Sequence, residues 1–263
     1  MCGRYASTRS AADLAALFEA EDLTDGDLVP AYNIAPTDPA PIVRLTPGGP
    51  VLCAARWGFL PPWARDPAGS GPGEGRPKRG LSAGQMINAR AETVASSRAY
   101  GEAFAHRRCL VPADGWFEWL PGGRSVGGAG GMGGRSVGGA GRQAYFLTRT
   151  GPLAFGGVWT ASRADAQMRI TFSIVTVPAI GPLATIHERM PMVIDESRWS
   201  QWLTCSHVAT LLTPPSSEYC AGFELRPVSS AVGDVRKDGP ELLQRVVIVE
   251  DDPSTVDQSP TLF

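Results

Sequence analysis

The stretch AYFLTRTGPLAFGGVWTASRADAQMRITFSIVTV, residues 144–177, contains three short apolar runs: Ala144 to Thr148, Leu153 to Trp159 and Ile170 to Val177. Each is bounded by Gly or Pro, as strands are. Working outward, Val51 to Trp57 has the same character. Helical signals are fewer. Ser10 followed by Asp13 reads as a capping box, and Leu14, Leu17 and Phe18 fall on one face of the helix it opens. A second helix is expected around Glu196 to Leu203, where Trp199, Trp202 and Leu203 share a face, and another across Ser97 to His106. No regular alternation of strand and helix links these segments, so the pattern predicts a mixed α+β fold with mostly antiparallel strands.

The chain has 263 residues, 43% hydrophobic and 19% charged, enough for one substantial core and better suited to one domain than two. No apolar run approaches the ~18 to 20 residues that a membrane-spanning helix needs. Only Lys78 and Lys237 are lysines among 24 basic residues, leaving 22 arginines against 26 acids and a net charge of −2. That whole-chain figure argues against a polyanionic partner. The charge is uneven, however: residues 31–245 hold 22 bases and 16 acids, a net of +6. Two readings of this body stay open, a surface facing phosphates and the codon bias of a GC-rich genome.

Five cysteines follow a start, MCGRYASTRS, without an apolar segment, so free thiols in a reducing cytoplasm are expected. There is no C-x-x-C and there are three histidines, His106, His187 and His207, so neither a metal nor a cofactor is expected. Residues 66–85 are rich in Gly, Pro and charge, and residues 122–141 contain GGRSVGGAG twice, at 122–130 and 133–141. Such glycine-rich repeats lose too much entropy on ordering to fold, so both segments read as flexible insertions in a domain of residues 2–249. An arginine-bearing tether through Arg124, Arg135 and Arg142 is the alternative for the repeat. Residues 250–263 read as a disordered acidic tail.

Cys2 stands where removal of Met1 would place an α-amine and a thiol on one residue. These groups titrate near ~8 and ~8.5, so both are partly available at neutral pH. Such a 1,2-aminothiol attacks an aldehyde twice, the amine forming a Schiff base and the thiolate closing a thiazolidine ring. In Ile87 to Glu92 strict alternation places Asn88, Arg90 and Glu92 on one face of an extended strand, which either faces solvent or lines a site. Glu118 sits among Trp116, Phe117 and Trp119, where desolvation would raise its pKa toward that of a neutral-pH proton carrier; a surface strand Glu beside aromatic neighbours is the competing account. His187 and Arg189 form a candidate phosphate and proton-transfer pair, and Pro191, four residues after His187, excludes the zincin pattern.

The ordered blocks MCGRY (1–5), AYNIAPT (31–37), RWGFLPPWA (56–64), INARAET (87–93), RRCLVPADGWFEW (107–119), IHERMP (186–191) and PVSSAVGDV (227–235) together resemble the SOS-response-associated peptidase family, also called abasic-site processing proteins. The resemblance implies a single α+β domain built on a curved, partly closed antiparallel sheet with flanking helices. It implies that Met1 is removed and that Cys2 becomes covalently attached to the ring-opened abasic deoxyribose in single-stranded DNA. Asn88 would position the Cys2 amine and thiol, Glu118 would manage proton transfers, and His187 would assist sugar opening. Arg4, Arg90 and Arg189 would hold phosphates, and Trp63 would stack on or wedge into the DNA. Asn33 and Pro36 would shape the site, and Asp234 departs from an expected asparagine.

A monomeric, cytoplasmic protein that joins the nucleoid on DNA and meets the replication machinery at lesions follows from that role. Peptidase chemistry would be confined to the first peptide bond, with lyase chemistry as a further activity. A thiol peptidase using Cys2 and His187, and a non-covalent single-strand binder, are the alternatives. Arg90→Ala or Arg189→Ala should weaken binding to a single-stranded oligonucleotide and flatten its salt dependence, whereas Arg124→Ala or Arg135→Ala should leave both unchanged in filter binding across a salt series.

Overall fold

A computed structural model describes residues 2–61, 63–64, 86–120, 142–164, 167–205 and 208–247. The expected insertions 66–85 and 122–141 and the tail 250–263 lie outside the described residues. The first half contains β1 (Tyr5–Ser7), α1 (Ala11–Leu17), β2 (Glu21–Asp22), β3 (Ala31–Ile34), β4 (Pro39–Thr46) and β5 (Gly49–Trp57). Then come β6 (Asn88–Arg90), α2 (Ala91–Val94), α3 (Gly101–His106), β7 (Arg108–Leu120), β8 (Gln143–Ala164) and β9 (Gln167–Pro178). The chain continues through β10 (Arg189–Pro191), α4 (Trp199–Thr204), α5 (Ser217–Ala221) and β11 (Glu224–Val228).

Among the described residues all eleven strands share one sheet in the order β11-β8-β9-β5-β4-β7-β1-β3, with β6 and β10 added on β9 and β2 on β5. A further pairing of β7 with β8 closes β8, β9, β5, β4 and β7 into a ring. The expected partly closed sheet therefore contains a small closed barrel. The pairings of the whole sheet are antiparallel except for β2 with β5, β5 with β9 and β6 with β9. Inward-facing aromatics fill the barrel: Tyr5 meets Trp57 edge-on at 5.2 Å and Phe155 at 6.0 Å, and Trp116 meets Phe155 at 5.9 Å. Each such fully buried side chain contributes roughly 2 to 3 kcal/mol of apolar transfer free energy.

The runs Ala144 to Thr148 and Leu153 to Trp159, expected as separate strands, belong to the single strand β8. Its register against β7 passes from Leu153 opposite Ala113 to Thr148 opposite Gly115, so Arg149, Thr150, Gly151 and Pro152 bulge opposite Asp114. Gly151, at φ +94°, takes the left-handed turn within that bulge. Gly115 is required on the other strand, because a Cβ there would lie 2.5 Å from the Leu147 carbonyl oxygen. The glycine-proline signal thus marks a bend, with pairing resuming on both sides.

Helix α1 begins as expected: Ser10 Oγ accepts the Asp13 N–H at 3.1 Å, and Leu14 and Phe18 are buried. Phe18 stacks on Trp199 of α4 at 4.2 Å. The expected helix at 196–203 divides into a 3₁₀ turn at Glu196–Arg198 and α4, and the helix expected across 97–106 is confined to α3. A second correction concerns Glu92. The extended run ends at Arg90, and Ala91 and Val94 turn inward as the buried residues of α2, which places Glu92 in that helix's first turn and off the strand face of Asn88 and Arg90. No helix among the described residues is long and apolar enough to cross a membrane.

Arg108 fastens the helices to the barrel. It is buried at the start of β7, and its guanidinium donates to Phe104 O (2.8 Å), Ala105 O (3.0 Å), Trp202 O (2.7 Å) and Cys205 O (2.5 Å). One cation thereby satisfies orphan carbonyls at the C-terminal ends of α3 and α4. Arg108→Met leaves those carbonyls buried and unpaired, so urea unfolding should show a loss of about 3 kcal/mol or more, with Arg108→Lys recovering less than half because an ammonium lacks the planar fork.

Candidate active site at the amino terminus

Strand β1 carries the amino terminus into the sheet. Tyr5 pairs with Trp116 and Ala6 with Gly115, and the Phe117 N–H donates to Arg4 O at 2.9 Å. This lays Cys2, wholly buried, along the second half of β7. Asn88 Nδ2 donates to Cys2 O at 2.8 Å, and Cys2 Sγ lies 3.8 Å from Arg4 O. Asn88 is set by β6, which runs parallel to β9 with Asn88 opposite Ile174, while Tyr100 Oη donates to Asn88 O at 3.3 Å. The Asn88 Oδ1 is buried with no hydrogen-bond partner among the described residues, leaving an acceptor beside Cys2.

Glu118 lies on the same face of β7 as Trp116 and is 3% exposed. Burial raises its carboxyl to about 7, opposed by the positive charge of the amino terminus. Burial, reinforced by the Glu118 charge, pushes the Cys2 thiol well above its usual range. Burial, followed by the charge of the amino terminus, lowers His187. Its Nδ1 lies 2.9 Å from the Arg189 nitrogen and 3.2 Å from the Arg189 carbonyl oxygen, so the Arg189 backbone fixes the orientation of the ring at that nitrogen. The Glu118 charge acts on the Cys2 thiol and Asn88 bonds Cys2 O, so residues from two distant segments meet at Cys2.

The expected phosphate ligands differ in their commitments. Arg4 donates to Asn33 Oδ1 at 3.2 Å; burial lowers its pKa, and the carboxylates of Asp38 and Asp234 oppose that. Asn33 in turn holds the C-terminal loop, its amide nitrogen lying 3.2, 3.1 and 2.8 Å from the carbonyls of Val232, Asp234 and Lys237. The Asp234 side chain is engaged by Arg236 at 2.9 Å. Arg90 is exposed. Trp63 is 53% exposed with the Arg98 guanidinium 5.4 Å over its ring, an exposed cation–π pair whose arginine the sequence had not singled out. Arg189 is nine-tenths buried and bound by Glu92 and Thr176, which take four of its five N–H donors. Tyr100, Thr176 and the helical position of Glu92 escaped sequence reasoning, because each acts through a contact distant in the chain. Among the described residues no group of three or more Cys, His, Asp or Glu is placed to hold a metal ion.

The profile of the SOS response associated peptidase family matches residues 1–235. The chain belongs to that family. It is 29% identical to the abasic site processing protein YedK of Escherichia coli, over 94% of this chain and 100% of YedK. It is 26% identical to YoqW of Bacillus subtilis, named likewise, over 93% of this chain and 99% of the relative. It is also 26% identical to the abasic site processing protein HMCES of Gallus gallus, over 92% of this chain and 77% of that one. A crystal structure of a Bacteroides thetaiotaomicron protein shares the fold, with a TM-score of 0.70 at 20% identity over 94% of this chain and all of that one.

The raised Glu118 has a measurable consequence. Between the ordinary carboxyl value of 4.5 and about 7 the folded protein keeps a proton that the unfolded chain releases, so stability falls as pH rises through that window. Glu118→Gln should therefore stabilise the protein by roughly 2 to 4 kcal/mol at pH ~8 and leave it unchanged near pH ~4 in urea unfolding. An equal difference at both pH values would show that burial of the charge is not the cause.

Proposed function

We propose that this protein processes abasic sites in single-stranded DNA by forming a covalent thiazolidine crosslink through Cys2 after Met1 is removed. The observation that carries the reading is the meeting at Cys2 of its buried thiol, the Asn88 amide and the Glu118 carboxyl group near pKa 7. The names of the relatives, abasic site processing proteins, supply the substrate class.

The reaction follows from the groups present. His187 relays the C1′ hydroxyl proton to the sugar ring oxygen as the hemiacetal opens to its aldehyde, the neutral ring gaining and returning one proton. The Cys2 amine adds to C1′ to give a carbinolamine, which loses water to an imine. The sulfur then adds to C1′ while the thiol proton passes to nitrogen, closing the ring with a net release of one water. Glu118, near pKa 7, gives a proton to the departing hydroxyl and takes one from the thiol. Because burial keeps that thiol protonated, the amine attacks first and the sulfur second. A thiol peptidase acting on other proteins needs the opposite, a depressed thiol pKa. Peptidase activity is thus confined to hydrolysis of the Met1–Cys2 bond, and β-elimination from the imine would supply a slower lyase activity. Arg4, Arg90 and the remaining Arg189 donor bind phosphates, and Trp63 with Arg98 supports an unpaired base. Such a role places the protein in the cytoplasm, at the nucleoid and beside replication forks.

Purified protein mixed with a uracil-glycosylase-treated single-stranded oligonucleotide should give a covalent band on a denaturing gel, and Cys2→Ala should give none. An equal band from Cys2→Ala would remove Cys2 from the reaction.

A further inference from the structure

Glu92 takes no part in the chemistry above, yet it holds the buried Arg189. Glu92 Oε1 accepts from Nη1 at 2.8 Å and Oε2 from Nη2 at 3.0 Å, a bidentate fork. On its other side the guanidinium donates to Thr176, from Nη2 to O at 2.7 Å and from Nε to Oγ1 at 3.3 Å. The backbone of the same arginine reaches the active site, since its N–H is the donor to His187 Nδ1 at 2.9 Å. Glu92 lies in α2, directly after β6, which carries Asn88 and pairs Arg90 with Thr176. One ion pair across β9 therefore joins the segment that orients Cys2 to the segment that orients His187.

We propose that Glu92 is a positioning residue that acts through Arg189, whose backbone nitrogen and oxygen both reach His187 Nδ1, to hold His187 in one tautomer at a fixed place relative to Cys2 and Asn88. Geometry supports this over a purely stabilising role. The Glu92 carboxylate is 46% exposed, and ion pairs that open to water add little to stability. The fork fixes direction: with the carboxylate gone, nothing opposes Thr176, the guanidinium rotates toward it, and the Arg189 backbone that serves His187 shifts with it. Displacements of about an ångström at a proton-transfer group are enough to slow a reaction by one to two orders of magnitude.

The effect on catalysis rests on the reaction proposed above, whereas the effect on the imidazole does not, and the experiment separates them. Wild type, Glu92→Gln, His187→Ala and the double variant are compared in single-turnover crosslinking at saturating abasic oligonucleotide. In parallel, nitrogen NMR of ¹⁵N-histidine-labelled protein reads the His187 tautomer in wild type and Glu92→Gln. We expect Glu92→Gln to crosslink about tenfold more slowly than wild type, no further loss when it is added to His187→Ala, and His187 nitrogen shifts that move from a single tautomer toward a mixture. Unchanged His187 shifts would overturn the proposal, as would a wild-type rate in Glu92→Gln or a full tenfold loss persisting in the His187→Ala background. Absence of any wild-type crosslink, with the tautomer still shifting in Glu92→Gln, would overturn the reaction and leave the positioning role standing.

Discussion

The pairing of β7 with β8 is the interaction on which the rest of the molecule depends. Twelve residue pairs run from Arg108 opposite Val158 to Leu120 opposite Gln143, interrupted once at Asp114. On its other edge β7 changes neighbours at that interruption. Its first half meets β4, with Leu110 opposite Val43, and its second half meets β1, with Trp116 opposite Tyr5. One long strand therefore closes the barrel and also receives the amino terminus. The bulge of Arg149 to Pro152 falls where β7 changes neighbours, and the second half of β7 receives the strand that follows Cys2.

Burial is the chemical device of the site as well as the force that closes it. The same low-polarity surroundings raise the Glu118 carboxyl to about 7, raise the Cys2 thiol and lower His187. Desolvation disfavours whichever form is charged, so one cause produces an acid able to exchange protons near neutrality, a thiol and a neutral imidazole. The amide of Asn88 and the backbone of Arg189 then set directions, the first at Cys2 and the second at His187.

Charge follows the same logic of place. The whole chain is slightly acidic at −2, yet Arg4 stands just before β1, Arg90 ends β6 and Arg189 opens β10, strands of one sheet. They are not equivalent. Arg4 is held by Asn33, Arg90 is exposed, and Arg189 is spent largely on Glu92 and Thr176. A count of basic residues sees three equal cations, whereas the fold makes one an anchored contact, one an open one and one mainly a strut.

Sequence alone determined what depends on neighbours in the chain. The Ser10 cap and the apolar face of α1 were legible because a helix is set by residues three and four apart. The apolar runs of β5, β8 and β9 announced strands by composition, and Cys2 stood out as a candidate because a 1,2-aminothiol depends on position in the chain. The family blocks pointed to Asn88, Glu118 and His187. Tertiary structure decided what depends on partners far away. Gly151 and Pro152 read as a break, yet twelve pairs with β7 make β8 continuous, because ladder hydrogen bonds on both sides outweigh one local turn preference. Glu92 read as a strand residue beside Asn88 and Arg90, but burial of Ala91 and Val94 turned the chain into a helix and brought its carboxylate to Arg189, 97 residues onward. Local sequence carries periodicity and propensity; the carboxylate's partner, the value of its neighbours' pKa and the free edge of each guanidinium are set only when distant segments exclude water together.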